Sequence, residues 1–125
     1  MIEVLPEKDP VKIKEVFADK GIQFKETAGF VSAKCGEDIL GFCLYYLDEK
    51  RMDILCIEPI DDLLLADGIL RSTIHIACER FVMDVRYSEN LDDKIFKKLG
   101  FIKNRESRSL DTDKLFGGCG CQKQV

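Results

Sequence analysis

The sequence predicts one α/β domain (α+β by some conventions), a mixed and mostly antiparallel sheet flanked by helices. Three observations predict it. A chain of 125 residues has room for a real core and too little length for two ordinary domains. Three strand-like runs between Gly29 and Glu58 are joined by turns of a few residues, as in an antiparallel meander. Met52 to Tyr87 then reads strand, long helix, strand, the order of a right-handed parallel crossover.

Composition sets the class. About 46% of residues are apolar and 34% charged, ordinary for a globular domain. The net charge of −4 is spread over interleaved acids and bases, which argues against nucleic acid as a partner. No long uncharged apolar run suggests a membrane span. The opening Met-Ile-Glu-Val-Leu-Pro-Glu-Lys lacks both parts of a secretory signal, so a cytoplasmic location is expected. Cys35, Cys43, Cys56 and Cys78 each fall in a different apolar segment and read as reduced, buried small hydrophobes.

Ile2 to Leu5 reads as a first short strand. Asp9-Pro10 opens a helix, with Asp as cap and Pro where its missing N–H costs nothing; Gly21 closes it. Ile13, Val16 and Phe17 form its apolar face. Gly29 to Lys34 and Ile39 to Leu47 are strands around the turn Gly36-Glu37-Asp38. Gly41 inside its strand signals a bulge or a close backbone approach. Tyr45 and Tyr46 must point to opposite faces. Asp48-Glu49-Lys50 turns the chain into the strand Met52 to Glu58, which Pro59 ends because it cannot donate to a ladder.

The central helix is expected from about Asp61 to Arg80. Asp61 or Asp62 can cap it, and Leu63, Ala66, Leu70, Ile74, Ala77 and Phe81 make one stripe at helical spacing. His75, the one histidine, lies next to that stripe and reads as a partly buried packing residue. Val82 to Tyr87 is a strand. Asn90 or Asp92 caps a short helix ended by Gly100, and Phe101 to Leu110 is a last strand near an edge. Asp111-Thr112-Asp113 can cap one turn over Lys114 to Phe116. The domain is therefore placed at 1–116, with a Gly/Cys-rich tail at 117–125. The tail's Cys119-Gly120-Cys121 can cycle between dithiol and disulfide, offer thiolates to a soft metal, or be inert. No complete metal-ligand set is legible.

Three segments in this order carry a family resemblance: Gly36-Glu37-Asp38-Ile39-Leu40-Gly41, Cys56-Ile57-Glu58-Pro59 and Ile95-Phe96-Lys97-Lys98-Leu99-Gly100-Phe101. With the element order, they make the chain resemble the GNAT acetyltransferase superfamily over nearly all its length before the tail. The resemblance implies an acyl-CoA N-acyltransferase-type fold, acetyl-CoA as cosubstrate, and a small-molecule or peptide amine as acceptor. It implies that the third meander strand and the next strand splay apart, with the cofactor in the gap beside Cys56, Ile57 and Phe96. It also implies that backbone N–H groups at the start of the long helix hold the pyrophosphate, as the positive helix end favours.

Against the family's Arg/Gln-x-x-Gly-x-Gly/Ala segment, this chain has Asp62-Leu63-Leu64-Leu65-Ala66-Asp67, or, one residue on, Leu63-x-x-Ala66-x-Gly68. Asp61, Asp62 and Asp67 then crowd the pyrophosphate position. Glu58, at the strand end, is the better general-base candidate over Asp53; each can equally be a solvated carboxylate. Where the family often has a proton-donating Tyr, this chain has Phe96, so Tyr87 or a water stands in. The family's acceptor side, Lys12 to Lys25 here, is short. The expected activity is N-acyl transfer; the alternative is an inactive module of the same fold that binds another ligand or partner, with the Cys-Gly-Cys tail as a redox or metal handle.

Overall fold

The computed structural model describes residues 2–112. The elements are β1 (Ile2–Pro6), α1 (Pro10–Asp19), β2 (Ala28–Cys35), β3 (Asp38–Leu47), β4 (Met52–Glu58), α2 (Leu63–Glu79), β5 (Val85–Tyr87), α3 (Lys94–Leu99), β6 (Ile102–Asn104) and β7 (Ser109–Leu110). Among the described residues the strands form one sheet in the order β1-β2-β3-β4-β5-β7-β6. Every neighbouring pair is antiparallel except β4 with β5. This is the mixed, mostly antiparallel sheet that the sequence predicts. No helix among the described residues is long and apolar enough to cross a membrane.

A helix covers each face. On one, Ala66, Ile69, Leu70, Ile74 and Ala77 of α2 pack against Val31, Ala33, Cys43, Met52, Ile54 and Ile57. Their spacing is the predicted stripe, and each fully buried Ile or Leu contributes roughly 1.5–3 kcal/mol. On the other, Ile13 and Phe17 of α1 pack against Phe30 and Leu44. Asp9 caps α1 by accepting the Val11 N–H at 3.0 Å, and Gly21 leaves it with φ +69°. Tyr45 and Tyr46 do take opposite faces, Tyr45 in the α2 core and Tyr46 beside Phe17.

Gly41 serves both of its expected uses. Ala33 pairs with Gly41 and Lys34 with Ile39, so Leu40 is the extra residue of a bulge. A Cβ on Gly41 would lie 2.6 Å from the Glu58 carbonyl oxygen and 2.8 Å from Pro59 Cδ. The close approach locks the start of β3 against the end of β4.

Several expectations are corrected. The central helix stops at Glu79; Phe81 turns the chain with φ +62° and is 78% exposed, and Val82 fills the core in its place. Leu63 is likewise outside the buried stripe, at 39% exposed. The strand expected from Val82 begins only at Val85. The expected single strand Phe101 to Leu110 is a hairpin, β6 and β7, because Asn104 Oδ1 accepts the N–H groups of Glu106 and Ser107 and folds the chain into a turn. His75 is exposed and faces Glu79 at 3.5 Å along the helix. Cys35 is exposed, Cys56 half-buried, and Cys78 is disulfide-bonded rather than reduced. The turn expected over Lys114 to Phe116 and the Cys119-Gly120-Cys121 tail lie outside the described residues.

Candidate active site

β4 positions the site. It pairs with β5 only from Met52 to Ile54, where Ile54 meets Tyr87, and Ser88 N–H closes the ladder on the Ile54 carbonyl. β5 ends there, but β4 runs on to Glu58. Leu55 to Glu58 thus keep β3 on one side and have no paired strand on the other, which opens a gap between the strands.

A second irregularity turns the side chains. Tyr45 pairs with Ile54 and Leu44 with Cys56, so Leu55 is an extra residue in β4. Ile54 belongs to the α2 face and Cys56 to the α1 face. Glu58, two residues beyond Cys56, shares the α1 face. Ile57 returns to the α2 core and is 3% exposed.

Glu58 is held across the fold. Lys20, the cap of α1, places Nζ 2.9 Å from Glu58 Oε2 and lies 5.1 Å from the Phe42 ring centroid. The Glu58 hydrogen bond pushes the Lys20 ammonium up from the ordinary lysine value, and burial opposes it. The Cys56 thiol is pushed up first by burial and then by the Glu58 charge, with Lys20 opposing. A raised thiol is a poor nucleophile at neutral pH.

At the start of α2, Asp62 is the cap: its carboxylate accepts the Leu65 N–H at 3.1 Å, and its carbonyl accepts the Ala66 N–H at 2.9 Å. Leu63 and Leu64 are the first-turn amides outside those two contacts. Asp67 points along the helix, where its carboxylate accepts Arg71 Nε–H at 2.9 Å. Arg71 in turn lies over the Phe101 ring. So Asp61 and Asp62, rather than all three aspartates, line the recess at the helix start. Asp61 to Leu65 and Gly68 line one recess of about 1110 Å³, with Pro59, Leu40 and β1 as its other wall. A Cβ on Gly68 would meet nothing within 4 Å. Ala66 is not in that recess; it is fully buried on the face of α2 that meets the sheet.

Tyr87 stacks on Phe96, ring centroids 4.6 Å apart and 21° from parallel. Phe96 is fully buried and Tyr87 3% exposed. Burial, and then Asp93, push the Tyr87 phenol up, against Arg105 and Arg108. Tyr87 therefore holds its proton at neutral pH. It lies on the α2 face with Ile54, and so on the opposite face of the sheet from Glu58.

The sequence-derived site residues thus fall into three groups. Glu58 and Cys56 are on the α1 side of the gap, Tyr87 and Phe96 on the α2 side, and Asp62, Leu63, Leu64, Leu65 and Gly68 at the helix start. Lys20 was missed by sequence reasoning. Its partner is 38 residues away, and no local pattern links a helix cap to a strand end. Among the described residues no group of three or more His, Cys, Asp or Glu gathers to hold a metal ion.

Solved structures share this architecture. A GNAT family acetyltransferase from Elizabethkingia anophelis, solved with acetyl-CoA bound, superposes with a TM-score of 0.57; it is 19% identical over 82% of this chain and 78% of its own. This is the GNAT acetyltransferase fold. Ard1 from Thermoplasma volcanium has the fold too, with a TM-score of 0.54 and 15% identity over 86% of this chain and 92% of its own. A transcriptional regulator from Bacillus halodurans matches with a TM-score of 0.55 and 15% identity, over 84% of this chain and 95% of its own. No protein-family model matches the sequence, and no curated protein matches it. In the GNAT fold of this chain, β1 to β5 and α2 account for the gap, and the β6–β7 hairpin closes the sheet beyond it.

Proposed function

We propose that the protein is an acyl-CoA-dependent N-acyltransferase, most simply one that moves an acetyl group from acetyl-CoA to an amine. One observation carries the reading. β4 loses its β5 partner after Ile54 and runs on, with an unpaired edge, to the start of α2. An extended amide-bearing chain can pair with that edge, while a phosphate meets the amides of Leu63 and Leu64. Acetyl-CoA supplies the activated acyl carbon when bound. Gly68 leaves room beside the helix for it, and Asp61 and Asp62 set a repulsive limit on its affinity.

The residues divide the proton work between the two faces. Glu58 accepts a proton from the acceptor ammonium, which takes the place of Lys20 at its carboxylate. The freed amine attacks the acyl carbon, the amide C–N bond forms, the C–S bond breaks, and the surplus proton on the new amide nitrogen passes to water, which restores the group that protonates the thiolate. Tyr87, kept protonated by burial, or a water donates a proton to the departing thiolate. The acceptor is a small-molecule or peptide amine that reaches the α1 side, where Lys20 and Phe42 form the wall.

The test is a calorimetric titration of the full chain with acetyl-CoA at low salt, followed by an amine screen read as thiol release. A micromolar Kd is expected. Glu58→Gln should leave that Kd in place and lower turnover by roughly 10²-fold or more. No heat at millimolar acetyl-CoA, with an unchanged melting temperature, would overturn the reading.

A further inference from the structure

A second pocket, of about 630 Å³, lies at the other end of the sheet from Glu58. The β1–α1 connection, the start of β2, the end of β3 and the last turns of α2 meet around it. Its polar centre is Tyr45, whose side chain is 7% exposed. The ring lies across β2 at Gly29: a Cβ there would be 2.1 Å from Tyr45 Cζ and 2.4 Å from its hydroxyl oxygen. Glycine at 29 is what lets the phenol cross the strand and reach the pocket. Among the described residues the Tyr45 hydroxyl has no hydrogen-bond partner, yet no fully enclosed side-chain N or O lacks one. The hydroxyl therefore meets the open space of the pocket. A tyrosine buried this far ordinarily finds a partner for its O–H, so its partner must come from that space.

The charges around it sort by what already engages them. Glu7 accepts the N–H groups of Lys8 and Asp9, and Glu79 faces His75. The Arg80 guanidinium has no hydrogen bond or ion pair among the described residues, and its positive charge is felt at the Tyr45 phenol. Leu47 and Ile76 supply an apolar wall. An available guanidinium and an available hydroxyl, both donors, beside an apolar wall suit one chemistry: an anionic acceptor on an apolar body.

We propose that this pocket binds a small monocarboxylate, with Arg80 and Tyr45 on the carboxylate and Leu47 and Ile76 against its body. Glu7, Glu26 and Glu79 around the rim select against a second negative charge. The site is separate from the β4 gap and does not depend on acyl transfer there.

The experiment is a two-dimensional NMR titration of the full chain with benzoate, and with benzamide as its uncharged counterpart. Benzoate should shift the amide signals of Gly29, Leu47 and Arg80 along one saturating curve, and benzamide should bind at least about tenfold more weakly. Tyr45→Phe should weaken benzoate by about fivefold and Arg80→Gln by about tenfold, with melting temperatures unchanged. Arg80 is exposed, so its variant keeps the test intact should Tyr45→Phe disturb packing. Equal binding of benzoate and benzamide, shifts that do not saturate, or an affinity untouched by Arg80→Gln would overturn the proposal.

Discussion

Met52 and Ile54 are fully buried between two hydrogen-bonded strands, whereas Leu55 to Glu58, the next four residues of β4, have a paired strand on one side alone. The two halves differ little in composition. What separates them is the length of β5 and the extra residue at Leu55, which moves Cys56 and Glu58 to the thinner, α1-covered face. One half is paired along both edges, and the other has an open edge. The difference teaches that the site is made by withholding a neighbour from a strand, and only secondarily by the side chains placed there.

Truncation is the largest way to break this contrast. Ile54→Ala should cost about 2–5 kcal/mol in chemical denaturation, through lost burial and a residual cavity. Cys56→Ala, on the half-exposed stretch, should cost under about 1 kcal/mol. Similar costs at the two positions would mean that the second half of β4 is as much core as the first.

Thiol titration sharpens the same contrast. Cys43, on β3 opposite Ile57 but turned into the α2-side core, is pushed up to about 12 by burial, with a Thr73 hydrogen bond opposing. The unfolded thiol ionises near pH 8.5, so the unfolded state gains from rising pH before the folded state does. Stability is full below that value and falls by about 1.4 kcal/mol per pH unit between roughly pH 9 and 12. Comparison with Cys43→Ala isolates the effect: the wild-type advantage should shrink on going from pH 8 to pH 10. An advantage independent of pH would show that Cys43 is not closed off.

The fold was legible because its signals are local. The Asp9-Pro10 start, the stripe from Ala66 to Ala77 and the short turns of the meander each fit within a few residues of chain. The errors came where the outcome is decided elsewhere. Phe81 continues the helical period by spacing, but the helix ends at Glu79, and the carbonyls of Ala77 and Cys78 are taken by the N–H groups of Arg80, Phe81 and Val82. The hairpin hid inside Phe101 to Leu110 because Asn104 and a left-handed Arg108, not glycine or proline, make its turn. For the site, the strand end and helix start were visible as Glu58-Pro59 and Asp61-Asp62. That Asp67 turns to Arg71 is an i,i+4 contact within α2, which its spacing already offered; that Glu58 and Tyr87 take opposite faces, and that Lys20 holds Glu58, depend on packing between distant segments.

The recess at the start of α2 offers a smaller, directional effect. Asp61 faces it without capping the helix, whereas Asp62 does cap. Asp61→Asn should therefore tighten acetyl-CoA by about fivefold at low salt, the size expected from removing a like charge at ~5 Å in a high dielectric. The gain should fade as salt rises. Unchanged affinity at low salt would place the phosphates away from this helix start.

The smallest effect on stability separates structure from function most cleanly. The Lys20–Glu58 pair is partly solvated, with side chains 30% and 49% exposed, so its removal by Lys20→Met should change stability by no more than about 0.5 kcal/mol. If an acceptor ammonium must take the place of Lys20 at Glu58, the same change should lower the amine KM several-fold with the acetyl-CoA Kd unaltered. The sign is informative, because a pair that merely braced α1 against β4 would, once broken, loosen the acceptor wall and raise KM. A fall in KM without a loss of stability therefore assigns Lys20 to the open half of β4 as a displaceable occupant of its carboxylate. A rise in KM together with lost stability would return both residues to the scaffold.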